Sequence, residues 1–362
     1  MQAAEGRAPR RAARSGGARW LAGVGVALCV ASAAAGQDLR VLLLETDAPV
    51  RVAGARVAPD GAGLRVDDRP IGRRWVVPGP GPHRAGSHWV RGSVAVERSA
   101  SGMRVINRVP LEAYVAGTLS REVYSRWASD TLRAQAVVTR TYALYQRARH
   151  QALGFDVEAG TADQVYGGIG AENPAVERAV ALTRSEVLVW NGEPILAAFH
   201  SASGGRTASA EEVWGDALPY LRSREVDHEE DSPDTYWRVR LSRIKLGRAL
   251  TPLGLQLGAV REVRVAERTA SGRAARIEFT GSTGSGRVTA RVLRAALGDS
   301  IIRSTLFEIR DSGDDVVFVG SGHGHGVGMS QWGAQAMAER GADYREILAA
   351  FYPGTTLERR SP

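Results

Sequence analysis

The chain has 362 residues, of which 44% are hydrophobic and 24% are charged. This length and mixture predict one large or two ordinary globular domains with a real hydrophobic core, and they exclude a disordered or low-complexity protein. The formal net charge is +8, of which residues 1–36 supply about +4. Because the remaining charge is mild and scattered, and no stretch interleaves basic residues with aromatic ones, we predict no nucleic-acid partner.

The first 36 residues read as an export signal. An apolar run, "WLAGVGVALCVASAAAG", ends in small residues and follows five arginines: Arg7, Arg10, Arg11, Arg14 and Arg19. Basic, apolar and small-residue sections in this order are typical of a signal peptide, and an uncleaved membrane anchor is the alternative. A lipoprotein reading through Cys29 is weaker because Leu28 stands where a small residue is expected. We expect an exported protein in the periplasm or cell-wall space, free or held in the membrane by this segment.

The exported part has no cysteine, since Cys29 is the only one in the chain. Disulfides and thiolate metal sites are therefore excluded there. Four further segments follow: a β-rich stretch over 37–107, a helical core over 108–235, a second β-rich stretch over 236–318, and a glycine-rich loop with C-terminal helices over 319–362. Strands, then helices, then strands predict an α+β fold with a helical centre.

Helical spacing begins after Pro110, in "VPLEAYVAGTLSREVYSRW" and "SDTLRAQAVVTRTYALYQRAR". Ser129 or Asp130 is expected to cap the second helix. Further along, "EVLVWNGEPILAAFH" predicts a hairpin about Asn191-Gly192, with His200 at the end of a strand.

Glu122 continues an apolar helical stripe. Leu111, Val115 and Leu119 precede it at helical steps, so its carboxyl group should face inward. Burial favours the neutral form and raises the pKa of a carboxyl group, which suits a general acid. A frayed helix end or a structural ion pair would explain the same spacing.

Arg140 lies on a face of small and apolar residues in the next helix, where an arginine needs a partner or a pocket. A close Arg140–Glu122 pair would lower the pKa of the carboxyl group and oppose acid catalysis. We therefore expect Arg140 near the site, orienting a substrate, with a purely structural arginine as the alternative. Glu112 is expected to be a solvated carboxylate in the first turn of its helix.

The stretch "FHSASGGRTASAEEVW" places His200 before small hydroxylated residues and two glycines. It predicts a ligand-contacting loop or a turn with a hydrogen-bonded histidine. Ser201 and Ser203 are not expected to be nucleophiles, because no G-x-S-x-G elbow is present.

The stretch "GHGHGVGMSQWGA" at 322–334 allows three interpretations. A metal site at His323 and His325 lacks an obvious third ligand nearby, and a phosphate-binding loop lacks the P-loop lysine. A backbone-exposing turn that feeds a helix remains, either structural or holding a histidine beside a ligand.

Taken together, several motifs resemble the stage II sporulation protein D family, which also contains amidase enhancers. They occur in the family's order from about residue 39 to 358: "VPLEAYVAGTLSREVYSRWASDTLRAQAVVTRTYAL", "ADQVYGG", "FHSASGGRTASAEEVW", "RSTLFEI" and "GHGHGVGMSQWGAQAMAERGADYREILAAFYPGTTL". The resemblance implies that the two β-rich segments surround a helical catalytic centre with a long substrate cleft.

The resemblance also implies roles for single residues. Glu122 matches the family's catalytic glutamate, and His325, not His323, matches the histidine of its G-H-G-V-G-M-S-Q motif. Substrate-binding positions fall on Arg133, Arg140, Tyr142, His200, Ser201, His325 and Gln331. Some members bind zinc just before Q-V-Y, but this chain has Ala162-Asp163 there instead of His-Cys. We therefore expect neither a metal nor another cofactor.

The activity that the resemblance implies is lytic transglycosylation of peptidoglycan glycan strands, preferably strands without stem peptides. The alternatives are a non-catalytic glycan-binding protein that enhances a cell-wall amidase and a metallohydrolase that uses His200, His323 and His325. Expected partners are glycan strands, with a cell-wall amidase or a membrane-anchored recruiter as further partners. A role in sporulation does not follow, because the domain also occurs outside spore-forming bacteria.

Overall fold

The computed structural model describes residues 38–160 and 163–360. The predicted export signal in residues 1–36 lies outside the described residues. Within them, several separate sheets alternate with helices along the chain, which confirms the predicted α+β class. No helix in the described part is long and apolar enough to cross a membrane.

Two sheets form the N-terminal part. The first has the order β11 (Val157–Glu158), β1 (Asp38–Thr46), β10 (Gly102–Pro110), β9 (Ser93–Ser99) and β6 (Arg74–Val77). The second has the order β5 (Arg69–Ile71), β4 (Gly63–Val66), β3 (Ala55–Asp60), β2 (Val50–Val52), β7 (His83–Ala85) and β8 (His88–Val90). Alternate residues such as Leu39 and Val41 of β1 are fully buried and join one hydrophobic core with Val115 and Leu119.

The two predicted central helices are confirmed as α1 (Leu111–Glu122) and α2 (Ser129–Arg149). The expected cap of α2 is wrong, because its N-cap is Ala128 and no side chain caps it. Asp130 instead accepts a hydrogen bond from the backbone N–H of Tyr344 at 3.3 Å. Gln335 accepts from the N–H of Ala128 at 3.1 Å. Distant residues thus provide polar contacts at this helix end.

Arg140 and Glu112 join α1 to α2, which corrects two sequence expectations. Arg140 is fully buried, and its Nη2 and Nε lie 2.6 and 3.0 Å from the two carboxylate oxygens of Glu112. Its Nη1 donates to the carbonyl oxygen of Glu186 at 3.1 Å. Glu112 is therefore not a solvated carboxylate, and Arg140 has no exposed surface with which to orient a substrate. The pairing satisfies a buried charge that would otherwise be costly.

Short strands and four more helices from residues 168–235 and 319–360 accompany the central helices. Sheet β13 (Glu193–Pro194), β12 (Glu186–Trp190) and β22 (Thr356–Arg359) includes the predicted hairpin about Asn191-Gly192. Strands β14 (Phe199–His200) and β21 (Met329–Ser330) pair in parallel. The helices are α3 (Pro174–Leu182), α4 (Ala210–Trp214), α7 (Gln331–Glu339) and α8 (Tyr344–Phe351).

Residues between β14 and β21 include a segment with its own core. Its sheets are β15 (Trp237–Ser242), β20 (Asp315–Gly320) and β19 (Phe307–Ser312), and β16 (Val260–Arg268), β17 (Ala274–Gly281) and β18 (Ser285–Thr289). Helices α5 (Arg243–Leu250) and α6 (Ala290–Leu297) pack on them through Leu246 and Leu293. Trp237 pairs with Gly320, so the two ends of the segment meet beside the glycine-rich loop.

We expect Glu112→Ala to lower the free energy of unfolding by about 3 kcal/mol, because it leaves the buried Arg140 guanidinium unpaired. Urea denaturation measures the loss. The surface pair Arg74–Glu97 provides the control, and Glu97→Ala should cost less than about 1 kcal/mol. Glu112→Ala combined with Arg140→Met should recover stability. A double variant as unstable as Glu112→Ala alone would contradict this account.

Candidate functional site

A cavity of about 490 Å³ lies where α1, α2, β14, α6 and the glycine-rich loop meet. Six of the eight residues predicted from the sequence line it: Glu122, Tyr142, His200, Ser201, His325 and Gln331. Arg140 and Arg133 do not. Arg133 is half-buried and pairs with Asp130 at 3.3 Å within the first turn of α2. Residues far apart in the sequence thus converge on one concave surface of the size that small-molecule sites have.

Glu122, the last residue of α1, presents a largely buried carboxyl group to the cavity. Burial raises the pKa of Glu122, and a hydrogen bond from the backbone N–H of Val165 to Oε1, 2.7 Å long, opposes that rise in part. No ion pair with Arg140 forms, since Arg140 is bound to Glu112. The neutral form of Glu122 therefore persists to higher pH than in an exposed glutamate, as the apolar stripe of α1 predicts.

Asp163 lines the same cavity as Glu122 and was not predicted as a site residue. Its Oδ1 accepts hydrogen bonds from the hydroxyl of Tyr142 at 2.9 Å and from Nε2 of Gln146 at 2.6 Å, and its Oδ2 accepts from the N–H of Glu158 at 2.8 Å. Burial, and next the charge of Asp163, raise the pKa of Tyr142, so the phenol stays protonated. Asp163 thus serves as a bound acceptor that fixes Tyr142.

His200 and His325 meet at the peptide of Val327. Nδ1 of His200 lies 3.1 Å from the carbonyl oxygen of Val327, which can only accept, so this nitrogen carries the hydrogen. Nδ1 of His325 accepts the N–H of Val327 at 3.0 Å. Burial is the first cause that lowers the pKa of both rings, to about 4 for His325. Both rings are therefore uncharged at neutral pH.

The Nε2 atom of His200 is the acceptor of this pair that has no partner among the described residues. It is buried and has no hydrogen-bond partner in the described part of the chain. Because Nδ1 carries the hydrogen, Nε2 presents a lone pair, and a buried acceptor without a partner is costly. A ligand hydroxyl or amide is the group that would satisfy it.

Glycines let the loop approach its neighbours closely. A Cβ atom on Gly324 would lie 2.8 Å from Cβ of His200, and one on Gly326 would lie 2.5 Å from the guanidinium of Arg273. Both glycines have positive φ angles, 107° and 85°. The glycine-rich sequence is thus required for backbone conformation and for contact with His200 and Arg273.

The carboxylate of Glu229 joins the two loops that carry the site histidines. It is buried and accepts hydrogen bonds from the backbone N–H groups of Ser203, Gly204 and Gly205 at 2.9 to 3.1 Å. It also accepts from the hydroxyls of Ser203 and Ser330, and Ser330 caps α7 by accepting from the N–H of Gly333. Sequence reasoning missed Glu229, because nothing in "VDHEEDSP" distinguishes a buried carboxylate from its exposed neighbours.

The rim of the cavity adds side chains that were not predicted as site residues. The half-exposed indole of Trp214 lies 5.3 Å from the ring of His325. Arg294 and Asp299 line the cavity from α6 and the turn after it. His323, for which the family resemblance implies no role, also lines the wall, and its Nδ1 lies 3.0 Å from Oδ2 of Asp234. Arg294 and Asp299 come from the segment that packs beside the loop.

Metal ligation by this set has little geometric support. Within residues 38–160 and 163–360, no three His, Cys, Asp or Glu side chains group closely enough to hold a metal ion. The rings of His200 and His325 are 5.7 Å apart and both face the Val327 peptide. A three-ligand site at His200, His323 and His325 is therefore not formed.

Comparison with known proteins places two families on the chain. Residues 99–190 match the family described as Stage II sporulation protein, and residues 221–328 match a Domain of unknown function (DUF8618). An uncharacterized protein of Brachyspira hyodysenteriae is 35% identical over 70% of this chain and 68% of its own length. Stage II sporulation protein D of Bacillus amyloliquefaciens is 31% identical over 73% of this chain and 78% of its own length.

A third relative is longer. The Amidase enhancer of Bacillus subtilis is 29% identical over 67% of this chain, and the matched region spans only 40% of that protein.

We expect Glu122→Gln to be at least as stable as the unchanged protein at pH 7. Folding raises the pKa of Glu122, so the protonated side chain favours the folded state. This stabilisation is complete below the ordinary pKa of about 4.5 and is lost as the pH rises through the folded pKa. Glutamine is uncharged throughout. Thermal unfolding at pH 4 and pH 7 should show a difference that grows with pH. A variant that is destabilised only at pH 7 would contradict the sign.

We expect Glu229→Gln to lower the free energy of unfolding by about 2 kcal/mol, because an amide NH₂ would then face backbone N–H donors. Urea denaturation measures this change. The adjacent, exposed Glu230 provides the matched control, and Glu230→Gln should have almost no effect. Equal effects of the two substitutions would refute the role given to Glu229.

Proposed function

Because the chain belongs to the stage II sporulation protein D family, we propose that it is an exported lytic transglycosylase that cleaves peptidoglycan glycan strands. The bond cleaved is the one from N-acetylmuramic acid to N-acetylglucosamine, in strands without stem peptides. The observation that carries this proposal is Glu122, a largely buried carboxyl group with a raised pKa on the wall of a large cavity. A carboxyl group in that state is suited to donate a proton to a substrate oxygen.

The proposed reaction has two proton transfers at Glu122. The protonated carboxyl group first gives its proton to the glycosidic oxygen as the bond from that oxygen to the anomeric carbon breaks. The resulting carboxylate then removes the proton from the 6-hydroxyl of the same muramic acid residue, whose oxygen bonds to the anomeric carbon. The products are a 1,6-anhydromuramic acid end and a free N-acetylglucosamine hydroxyl, and Glu122 is protonated again.

One carboxyl group suffices because the nucleophile belongs to the substrate. Most glycosidases need a second carboxylate as nucleophile or base. Here the attacking hydroxyl is held in the same sugar as the carbon it attacks, so proximity replaces the second residue. Asp163 is not needed for this chemistry, and its three hydrogen-bond donors support a structural role for it.

The other residues on the wall of the cavity position the strand in this proposal. Nε2 of His200, which has no partner in the protein's described part, accepts a hydrogen bond from a sugar hydroxyl or amide in this proposal. The indole of Trp214 at the rim offers an apolar face to a sugar ring. Tyr142, Ser201 and Gln331 supply further polar contacts.

A non-catalytic role is the second candidate. One relative is named Amidase enhancer, and a glycan-binding protein that assists a cell-wall amidase would use the same cavity without cleaving a bond. A non-catalytic protein has no need of a carboxyl group with a raised pKa such as that of Glu122, so this group favours the enzyme. A cell-wall amidase or a membrane-anchored recruiter remains a proposed partner, and the site of action proposed is the periplasm or cell-wall space.

Digestion of purified glycan strands without stem peptides tests the proposal. We expect the unchanged protein to release fragments with 1,6-anhydromuramic acid ends, detected by chromatography and mass spectrometry. Glu122→Gln should reduce this release by at least about 100-fold, the contribution that a general acid typically makes. Glu177→Gln, an exposed carboxylate of α3, should retain full activity. Strands left intact by the unchanged protein would favour the amidase-enhancing role.

A further inference from the structure

One wall of the cavity carries a cation that the proposed reaction does not use. Of the described residues that line the cavity, Arg294 is the only arginine or lysine. It lies on α6, in the region that matches a domain of unknown function. The other charged residues on the wall, Glu122, Asp163 and Asp299, are carboxyl groups.

The backbone holds the guanidinium of Arg294 in place. Its Nε donates to the carbonyl oxygen of Ile302 at 2.9 Å and to that of Arg303 at 3.3 Å. Its side chain is 21% exposed, and burial is the first cause that lowers its pKa. Because an arginine stays charged even then, the site keeps a fixed cation whose terminal nitrogens remain available as donors.

Arg294 forms only a weak ion pair with the neighbouring carboxylate of Asp299. Nη2 lies 3.5 Å from Oδ2 of Asp299, longer than an ordinary charge-assisted hydrogen bond. The side chain of Asp299 is 73% exposed, so water screens this pair and its free energy is small. A ligand carboxylate could therefore replace Asp299 and form two parallel hydrogen bonds with the guanidinium.

The proposed substrate offers such a carboxylate at only one place. Each muramic acid carries a lactyl ether that ends in a carboxyl group, whereas N-acetylglucosamine has no charged group. When a stem peptide is attached, that carboxyl group is a neutral amide. When the peptide has been removed, it is an anion.

We propose that Arg294 binds the lactyl carboxylate of muramic acid and thereby selects glycan strands from which the stem peptides have been removed. This inference rests on the proposed function. It makes Arg294 a specificity residue that holds the strand and takes no part in proton transfer. The enzyme that must act beforehand is of the amidase class, because it must hydrolyse the amide between the lactyl group and the peptide.

Binding without cleavage tests this assignment. In full-length protein carrying Glu122→Gln, calorimetry would compare two glycan oligomers of equal length: one with free lactyl carboxylates, and one with each carboxyl group converted to a methylamide. We expect the carboxylate form to bind at least about tenfold more tightly, as one charged hydrogen-bonded pair typically provides. Arg294→Gln should bring the two affinities within about twofold of each other.

Two further variants separate binding from structure. Arg291 lies on the exposed face of the same helix, and Arg291→Gln should keep the full preference. Arg294→Lys keeps the charge without the planar fork and should keep part of it. If Arg294→Gln does not fold, as judged by thermal unfolding, then loss of the preference at high salt with Arg294 intact provides the test.

The possible outcomes distinguish the two proposals. Equal affinity of the protein that retains Arg294 for both oligomers would overturn the role of Arg294 and leave the transglycosylase proposal standing. A preference that survives Arg294→Gln would also overturn it. Absence of binding to either oligomer, together with absence of anhydro ends in the digest, would overturn the proposed function itself.

Discussion

A single buried carboxylate, that of Glu229, joins the two loops that form the histidine side of the cavity. Its oxygens accept from three consecutive backbone N–H groups after Ala202 and from the hydroxyl of Ser330, the N-cap residue of α7. The loop that carries His200 and the loop that carries His325 are thereby joined through one anion. Because a buried charge is stable only when its oxygens are satisfied, neither loop can move without exposing unpaired groups.

A largely buried ion pair fixes the helix that carries Glu122. Glu122 ends α1, and α1 is fixed against α2 by the fully buried Arg140 through Glu112. That pairing leaves Glu122 free of a cation, so burial alone governs its pKa apart from one backbone N–H group. A pair between Arg140 and Glu122 would have produced the opposite shift. Because Arg140 pairs with Glu112 and not with Glu122, the same ion pair stabilises the helices and leaves the pKa of Glu122 raised.

Periodicity was sufficient to predict several features of this molecule. The apolar stripe of α1 predicts that Glu122 faces inward, and its raised pKa follows from that burial. Periodicity could not predict the partner of Arg140, because an arginine on an inner helix face can bind either a substrate or a carboxylate. The partner is Glu112, which lies 28 positions away in the chain. Asp163 and Trp214 lie inside the quoted motifs and Arg294 lies on a short helix outside them, but the local pattern could not show that their side chains line the cavity. Nor could it show that Glu229 is buried among hydrogen-bond donors.

By itself the sequence determined the α+β class, the positions of the central helices and the family, since these depend on local spacing and on motifs in a fixed order. It also determined that the glycine-rich loop feeds a helix. Only the tertiary structure decided that Nε2 of His200 has no hydrogen-bond partner in the described part of the chain and that the carboxylate of Asp163 accepts several hydrogen bonds. It also decided that Arg294 of α6 lines the cavity. The reason is physical: burial, ionisation and hydrogen-bond partners are set by groups that are distant in the chain and close only after folding.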